Sequence, residues 1–194
     1  MEKQQITLPT KLTIVRLVFS PLFLPVLLAY LLPYNSLHVN GLLSFLFVLL
    51  SVTDFFDGYL ARRLDQETML GKFLDPMADK FLFLSVLVGL LAANKIFFYW
   101  VIVFIGREFF ILGLRIFALE HRISVPVSWR GKIKTAAQMM YVVVAIINPY
   151  HHHFFFDAVI FNSLEVFLLA VALLATWWSA YYYYKSFIAA YREL

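Results

Sequence analysis

Residues 41–93 read GLLSFLFVLLSVTDFFDGYLARRLDQETMLGKFLDPMADKFLFLSVLVGLLAA, two apolar runs on either side of a charged centre. A helix needs about 20 mostly apolar residues to cross a bilayer. The runs at 41–60 and 73–93 meet that length, so the reading is helix, short connection, helix. Yet the first run carries Asp54 and Asp57 and the second carries Asp75 and Asp79. The fold class follows from the apolar residues, and any function has to explain the carboxylates.

Outward from this stretch the pattern repeats. Hydrophobic residues make up 62% of the 194 residues and charged ones 14%, a composition outside the soluble range. Six apolar stretches are predicted, at about 12–33, 41–60, 73–93, 96–119, 133–149 and 162–188, separated by polar or turn-forming segments such as PYNSLHVN, ARRLDQETMLGK and EHRISVPVSWRGK. The expected fold is all-α, a polytopic integral membrane bundle of six transmembrane helices forming one domain, 1–194. Residues 1–10 (MEKQQITLPT) lack the apolar core and cleavage site of a secretory signal and read as a juxtamembrane segment. Cysteine is absent, which excludes a disulfide framework and a thiolate metal site.

Lys and Arg give the orientation. Lys3, Lys11, Arg62, Arg63, Lys72, Arg122, Arg130, Lys132, Lys134, Lys185 and Arg192 fall on the termini or the even-numbered connections, whereas the odd connections hold only Lys95. The positive-inside rule then puts both termini in the cytoplasm. Arg16, Lys80, Arg107 and Arg115 lie within spans. Arg16 and Lys80 fit snorkelling helix-end residues, but Arg107 sits roughly 16 Å into its span at 1.5 Å per residue. That depth calls for a partner or a water-filled cavity.

Asp54 and Asp57 are three residues apart, Asp75 and Asp79 four, so each pair shares one face of its helix. Each ionised carboxylate costs about 2.5–3.5 kcal/mol at mid-bilayer, and four together repel. A bound cation relieves both problems. An all-oxygen donor set favours Mg²⁺, Mn²⁺ or Ca²⁺ over zinc or copper, and a two-metal site balances four carboxylates. Carboxylates of this kind also line ion pathways, so a cation transporter is the alternative from a different class.

Asp54-x2-Asp57-Gly58-x2-Ala61-Arg62-x8-Gly71-x3-Asp75-x3-Asp79 places eight fixed residues in 26 positions and resembles the signature of the CDP-alcohol phosphotransferase family. The resemblance implies a membrane-embedded transferase using Mg²⁺ or Mn²⁺, with a CDP-linked lipid as donor. It implies Asp54, Asp57 and Asp75 as metal ligands, and Asp79 as the base for the acceptor hydroxyl while it also lies beside the metals. Gly58, Ala61, Arg62 and Gly71 are implied to bind CDP, the small residues admitting the nucleotide and Arg62 offering a fork for phosphate. An ion pathway leaves those four intervals unexplained. The family is typically homodimeric, so a homodimer is expected, and no nucleic-acid partner is.

Two further stretches are similar to bacterial phosphatidylglycerophosphate synthases: LPTKLTIVRLVFSPLFLP at 8–25 and GREFFILGLRIFALEHRISVPVSWRGKIKTAAQMM at 106–140. They imply CDP-diacylglycerol and sn-glycerol 3-phosphate as substrates, in the bacterial cytoplasmic membrane, with the site facing the cytoplasm. Arg107, Arg115, Lys132 and Lys134 suit the acceptor's dianionic phosphate, and Glu108 is expected to orient or pair with a neighbouring Arg. Inositol phosphate, inositol and serine remain alternative acceptors. Asp65 and Glu67 read as solvated loop charges and Lys72 as a headgroup contact. His151, His152 and His153 read as an interfacial turn, and WWSAYYYYKSF at 177–187 as an aromatic belt. Asp157 and Glu165 are expected near the outer interface without a functional role, and 150–194 as generic apolar spans.

Overall fold

The computed structural model describes the backbone of residues 22–63, 69–121, 123, 129–149 and 156–192, with side chains outside 54–79 and 156–158. Six helices and no strand occur among the described residues, in agreement with the all-α expectation. They fall in two compact units, Met1–Ile96 and Phe97–Leu194.

In the first unit, helix α1 (22–31) runs into a 3-10 turn at Leu32–Tyr34, closed by Asn35 in the left-handed region. Leu24, Leu28 and Leu32 recur every four residues and are buried as one stripe. Helix α2 spans Leu37–Arg63 and α3 spans Met69–Ala92, and the two contact each other. The connection between them is shorter than the polar segment 61–72 suggested. Leu60 to Arg63 and Met69 to Leu70 are strong helix formers, and one Gly inside a helix costs only about 1 kcal/mol relative to Ala. Gly71 therefore lies in the first turn of α3, not in the connection. At Gly89 the helices approach closely: a Cβ there would stand 2.9 Å from the Pro25 Cα and the Leu28 Cδ1 of α1. Asn94, with φ of 56°, ends α3, and the Lys95 N–H returns to the Leu90 carbonyl at 2.8 Å, satisfying a carbonyl the helix end leaves open. Lys95, expected in a polar connection, is buried at 3% exposure.

The second unit holds α4 (Phe98–Glu120), α5 (Trp129–Ile147) and α6 (Phe156–Tyr191). Partners fall in the same order on α4 and α6, Arg107 with Ser179 and Phe117 with Phe187, so these helices run parallel. Along α5 the α6 partners run in reverse, from Gln138 with Thr176 to Asn148 with Asn162, so α5 is antiparallel to α6. The buried face of α5 follows Lys134, Gln138, Tyr141 and Ala145 and continues to Asn148 just past its end, alternating steps of four and three. That spacing keeps one stripe against a neighbouring helix, while Ala145, Ala172 and Ala175, all buried, allow close backbone approach.

Six uninterrupted spans were expected, but length and composition alone carry only one among the described residues, Val159–Tyr191, with a mean hydropathy of 2.1. Leu22–Tyr34, Leu37–Thr53 and Lys80–Ala92 are shorter apolar helices. Charges interrupt the others: Arg107, Glu108 and Arg115 in α4, and Arg130, Lys132 and Lys134 in α5. The surface remains that of a membrane protein. Leu42, Phe45, Ile102, Val166, Phe167 and Leu174 are all more than half exposed, which in water would forfeit about 25 cal/mol per Å² of apolar area.

Candidate active site

The four carboxylates of the signature stand on two helices in contact. The α2 backbone is helical through Asp54 and Asp57, and the α3 backbone through Asp75 and Asp79. Spacings of three and four residues put each pair about one turn apart on its own helix. Gly58, Ala61 and Arg62 continue α2, and Gly71 belongs to α3. The side-chain roles expected of these eight residues, metal ligation by the carboxylates included, lie outside the described residues, as do those of Asp65, Glu67, Lys72 and the three histidines. Among the described residues no group of three His, Asp or Glu side chains is placed to hold a metal.

The basic residues expected to receive a phosphate are in the second unit, and the structure divides them. Arg107 and Lys134 are brought together by Glu108. Arg107 donates from Nη1 to Glu108 Oε1 at 2.8 Å, and Lys134 donates from Nζ to the same oxygen at 2.5 Å. All three side chains are nearly buried, at 8%, 5% and 11% exposure. The second face of the guanidinium is held from α6, with Arg107 Nη2 donating to Ser179 Oγ at 3.0 Å. A carboxylate beside it and a hydroxyl from α6 answer the depth problem at Arg107, because desolvated ions persist only when paired and hydrogen bonded.

Arg115 and Lys132 are not in that group. Arg115 is exposed on α4, its guanidinium 5.5 Å from the centre of the Tyr183 ring on α6, and Lys132 is exposed on α5. Arg130, which sequence reasoning assigned only to orientation, is enclosed by rings: Tyr182 at 3.9 Å, Trp129 at 5.5 Å and Trp178 at 5.6 Å. The aromatic run at 177–187, expected as an interfacial belt, makes specific contacts with arginines of the neighbouring helices. Trp177 and Tyr181 point outward at 61% exposure each, but Trp178, Ser179, Tyr182 and Tyr183 brace cations of α4 and α5.

Glu165 also departs from expectation. It is buried at 6% exposure and accepts from Asn148 Nδ2 at 2.7 Å, while the same amide donates to Asn162 Oδ1 at 2.8 Å. This cluster joins the end of α5 to the start of α6. Between it and Glu108, Gln138 Nε2 donates to Thr176 Oγ1 at 3.0 Å. Glu108 pairs with Arg107 as expected, and Ser179, Asn148 and Glu165 are the residues that sequence reasoning undervalued. A signal was present for Glu165, because an ionisable residue inside a membrane helix calls for a named partner. For Ser179 there was none.

Residues 6–178 match the family model described as CDP-alcohol phosphatidyltransferase. The chain is 44% identical over 142 residues to the CDP-diacylglycerol–glycerol-3-phosphate 3-phosphatidyltransferase of Sodalis glossinidius, covering 70% of this chain and 74% of that one. It is 43% identical to the protein of that name from Pectobacterium atrosepticum, with the same coverage. To the one from Rickettsia felis it is 41% identical over 132 residues, 68% of this chain and 70% of the relative.

Proposed function

The chain belongs to the CDP-alcohol phosphatidyltransferase family, and from that premise we propose that it transfers the phosphatidyl group of CDP-diacylglycerol to the primary hydroxyl of sn-glycerol 3-phosphate. The products are phosphatidylglycerophosphate and CMP. The observation that carries this reading is identity of 41–44% with enzymes named for that reaction, over about 70% of both chains. It favours glycerol 3-phosphate over inositol phosphate, inositol or serine, and an enzyme over a cation transporter. The family match runs through residues of both units, from 6 to 178, which supports a single functional domain.

Asp54, Asp57, Asp75 and Asp79 are assigned to a two-metal site. Their chemistry fits: the set is all carboxylate oxygen, supplied in pairs by two helices that touch. Mg²⁺ or Mn²⁺ held there would neutralise the diphosphate and polarise the phosphorus under attack. Gly58, Ala61, Arg62 and Gly71 are assigned to the CDP moiety. Asp79 takes the proton of the acceptor hydroxyl. The resulting alkoxide oxygen bonds to the lipid-side phosphorus, and the phosphorus–oxygen bond to CMP breaks, its electron pair leaving with CMP. Arg107, Arg115, Lys132 and Lys134 are assigned to the acceptor phosphate, supported for Arg107 and Lys134 by their pairing on one carboxylate.

The concentration of cations on the termini and even-numbered connections supports cytoplasmic termini and a site facing the cytoplasm of a bacterial inner membrane. A homodimer is the expected assembly. The test is to incubate purified protein with CDP-diacylglycerol, Mg²⁺ and radiolabelled glycerol 3-phosphate. Label entering the lipid phase with equimolar CMP is expected, and label remaining wholly in the aqueous phase refutes the activity.

A further inference from the structure

We infer that Glu108 is the positioning residue of the acceptor-phosphate site, its single oxygen Oε1 holding Arg107 and Lys134 side by side to meet one dianion. The inference rests on the assignment of those two cations to the phosphate of glycerol 3-phosphate. Three observations support it. Both donors converge on the same oxygen, at 2.8 Å and 2.5 Å, so their nitrogens lie no further apart than the sum of those distances. That is a separation two oxygens of one phosphate can bridge. The cations come from helices distant in sequence, 26 residues apart for Glu108 and Lys134, so nothing local sets their spacing. Finally, Arg107 is fixed through Nη1 and Nη2, yet its buried Nε has no hydrogen-bond partner among the described residues. A buried unpaired donor costs about 1–3 kcal/mol, and an incoming anion is the group that would satisfy it.

A carboxylate in this place does two things. It offsets the repulsion that would drive two desolvated cations apart, and it sets the spacing at which they meet the phosphate. Glutamine has the same shape, but its carbonyl is a neutral acceptor and its amide end is a donor that repels a cation. Glu108→Gln therefore removes the charge that draws both cations to one point.

The experiment compares wild type, Glu108→Gln, Lys134→Met and the double variant, measuring kcat and KM for each substrate together with thermal stability. Glu108→Gln is expected to raise KM for glycerol 3-phosphate roughly tenfold or more, as losing one charge-assisted contact does, with KM for CDP-diacylglycerol unchanged. The double variant removes a cation together with the carboxylate that offsets it, so stability should recover relative to Glu108→Gln while KM for glycerol 3-phosphate stays high. A folded Glu108→Gln enzyme with wild-type KM overturns the inference. So does a double variant with wild-type KM, because the phosphate would then need neither Lys134 nor the carboxylate that positions it. If Lys134→Met itself leaves that KM unchanged, the assignment of Lys134 to the phosphate falls, and this inference with it.

Discussion

Gly89→Ala places one methyl group where α1 crosses α3, 2.9 Å from the Pro25 Cα and the Leu28 Cδ1, and 3.0 Å from the Leu28 Cβ. Ordinary contact begins near 3.4 Å, so the helices must separate by about half an ångström. The Leu28 side chain can turn aside, but the Pro25 Cα is backbone and moves only with its helix. Overpacking of this kind costs about 1–3 kcal/mol. Ala also favours a helix over Gly by about 1 kcal/mol, which would blur a single measurement. Gly113→Ala in α4 removes that ambiguity, because nothing lies within 4 Å of a Cβ built there. The propensity gain is common to both variants, so their difference isolates packing. Gly89→Ala should be less stable than Gly113→Ala by about 1–3 kcal/mol, or roughly 2–12 °C in Tm at 2–4 °C per kcal/mol for a chain of this size. The assay is thermal unfolding of the two purified variants in one detergent. Equal Tm values would refute the close approach of α1 to α3.

Other outcomes are expected at the sites themselves. Asp54→Asn, Asp57→Asn or Asp75→Asn should abolish CMP release and weaken Mn²⁺ binding, whereas Asp79→Asn should keep most CDP-lipid binding and lose rate; a near-normal rate in Asp79→Asn removes it as the base. Asn148→Ala deletes the bonds to Asn162 and Glu165 and should cost about 1–3 kcal/mol of stability, read as a lower Tm with KM values unchanged. Tyr182→Leu removes the ring closest to Arg130 and should cost about 0.5–1 kcal/mol, again visible as a drop in Tm.

The helical character of the chain and the register of the four Asp residues were legible because both rest on local periodicity. Asp54 with Asp57 and Asp75 with Asp79 need only a helix to share a face, and α2 and α3 supply it. Helix limits were harder: charge at Arg62 and Arg63 and a glycine at 71 resembled a connection, yet the backbone is helical at all three. The grouping of Arg107 with Lys134 was legible from their charge, but the neutral partners on α6 left no trace in the sequence. Ser179 lies 72 residues from Arg107, and Asn148 lies 17 from Glu165. A run such as WWSAYYYYKSF reads as a uniform belt until helix packing turns Ser179 and Tyr182 inward and leaves Trp177 outside. The apolar stretches at 96–119 and 133–149 were legible as helices, but that Glu108 ties Arg107 and Lys134 within them into one paired cluster was not, because the pairing joins two helices.

The most direct test of the central claim is the rate of CMP release from CDP-diacylglycerol by the purified protein in Mg²⁺, with glycerol 3-phosphate, inositol phosphate, inositol or serine as sole acceptor and a chelated control for each. The account predicts release with glycerol 3-phosphate alone, abolished by chelation and restored by added Mg²⁺ or Mn²⁺. Release with another alcohol and none with glycerol 3-phosphate would contradict it.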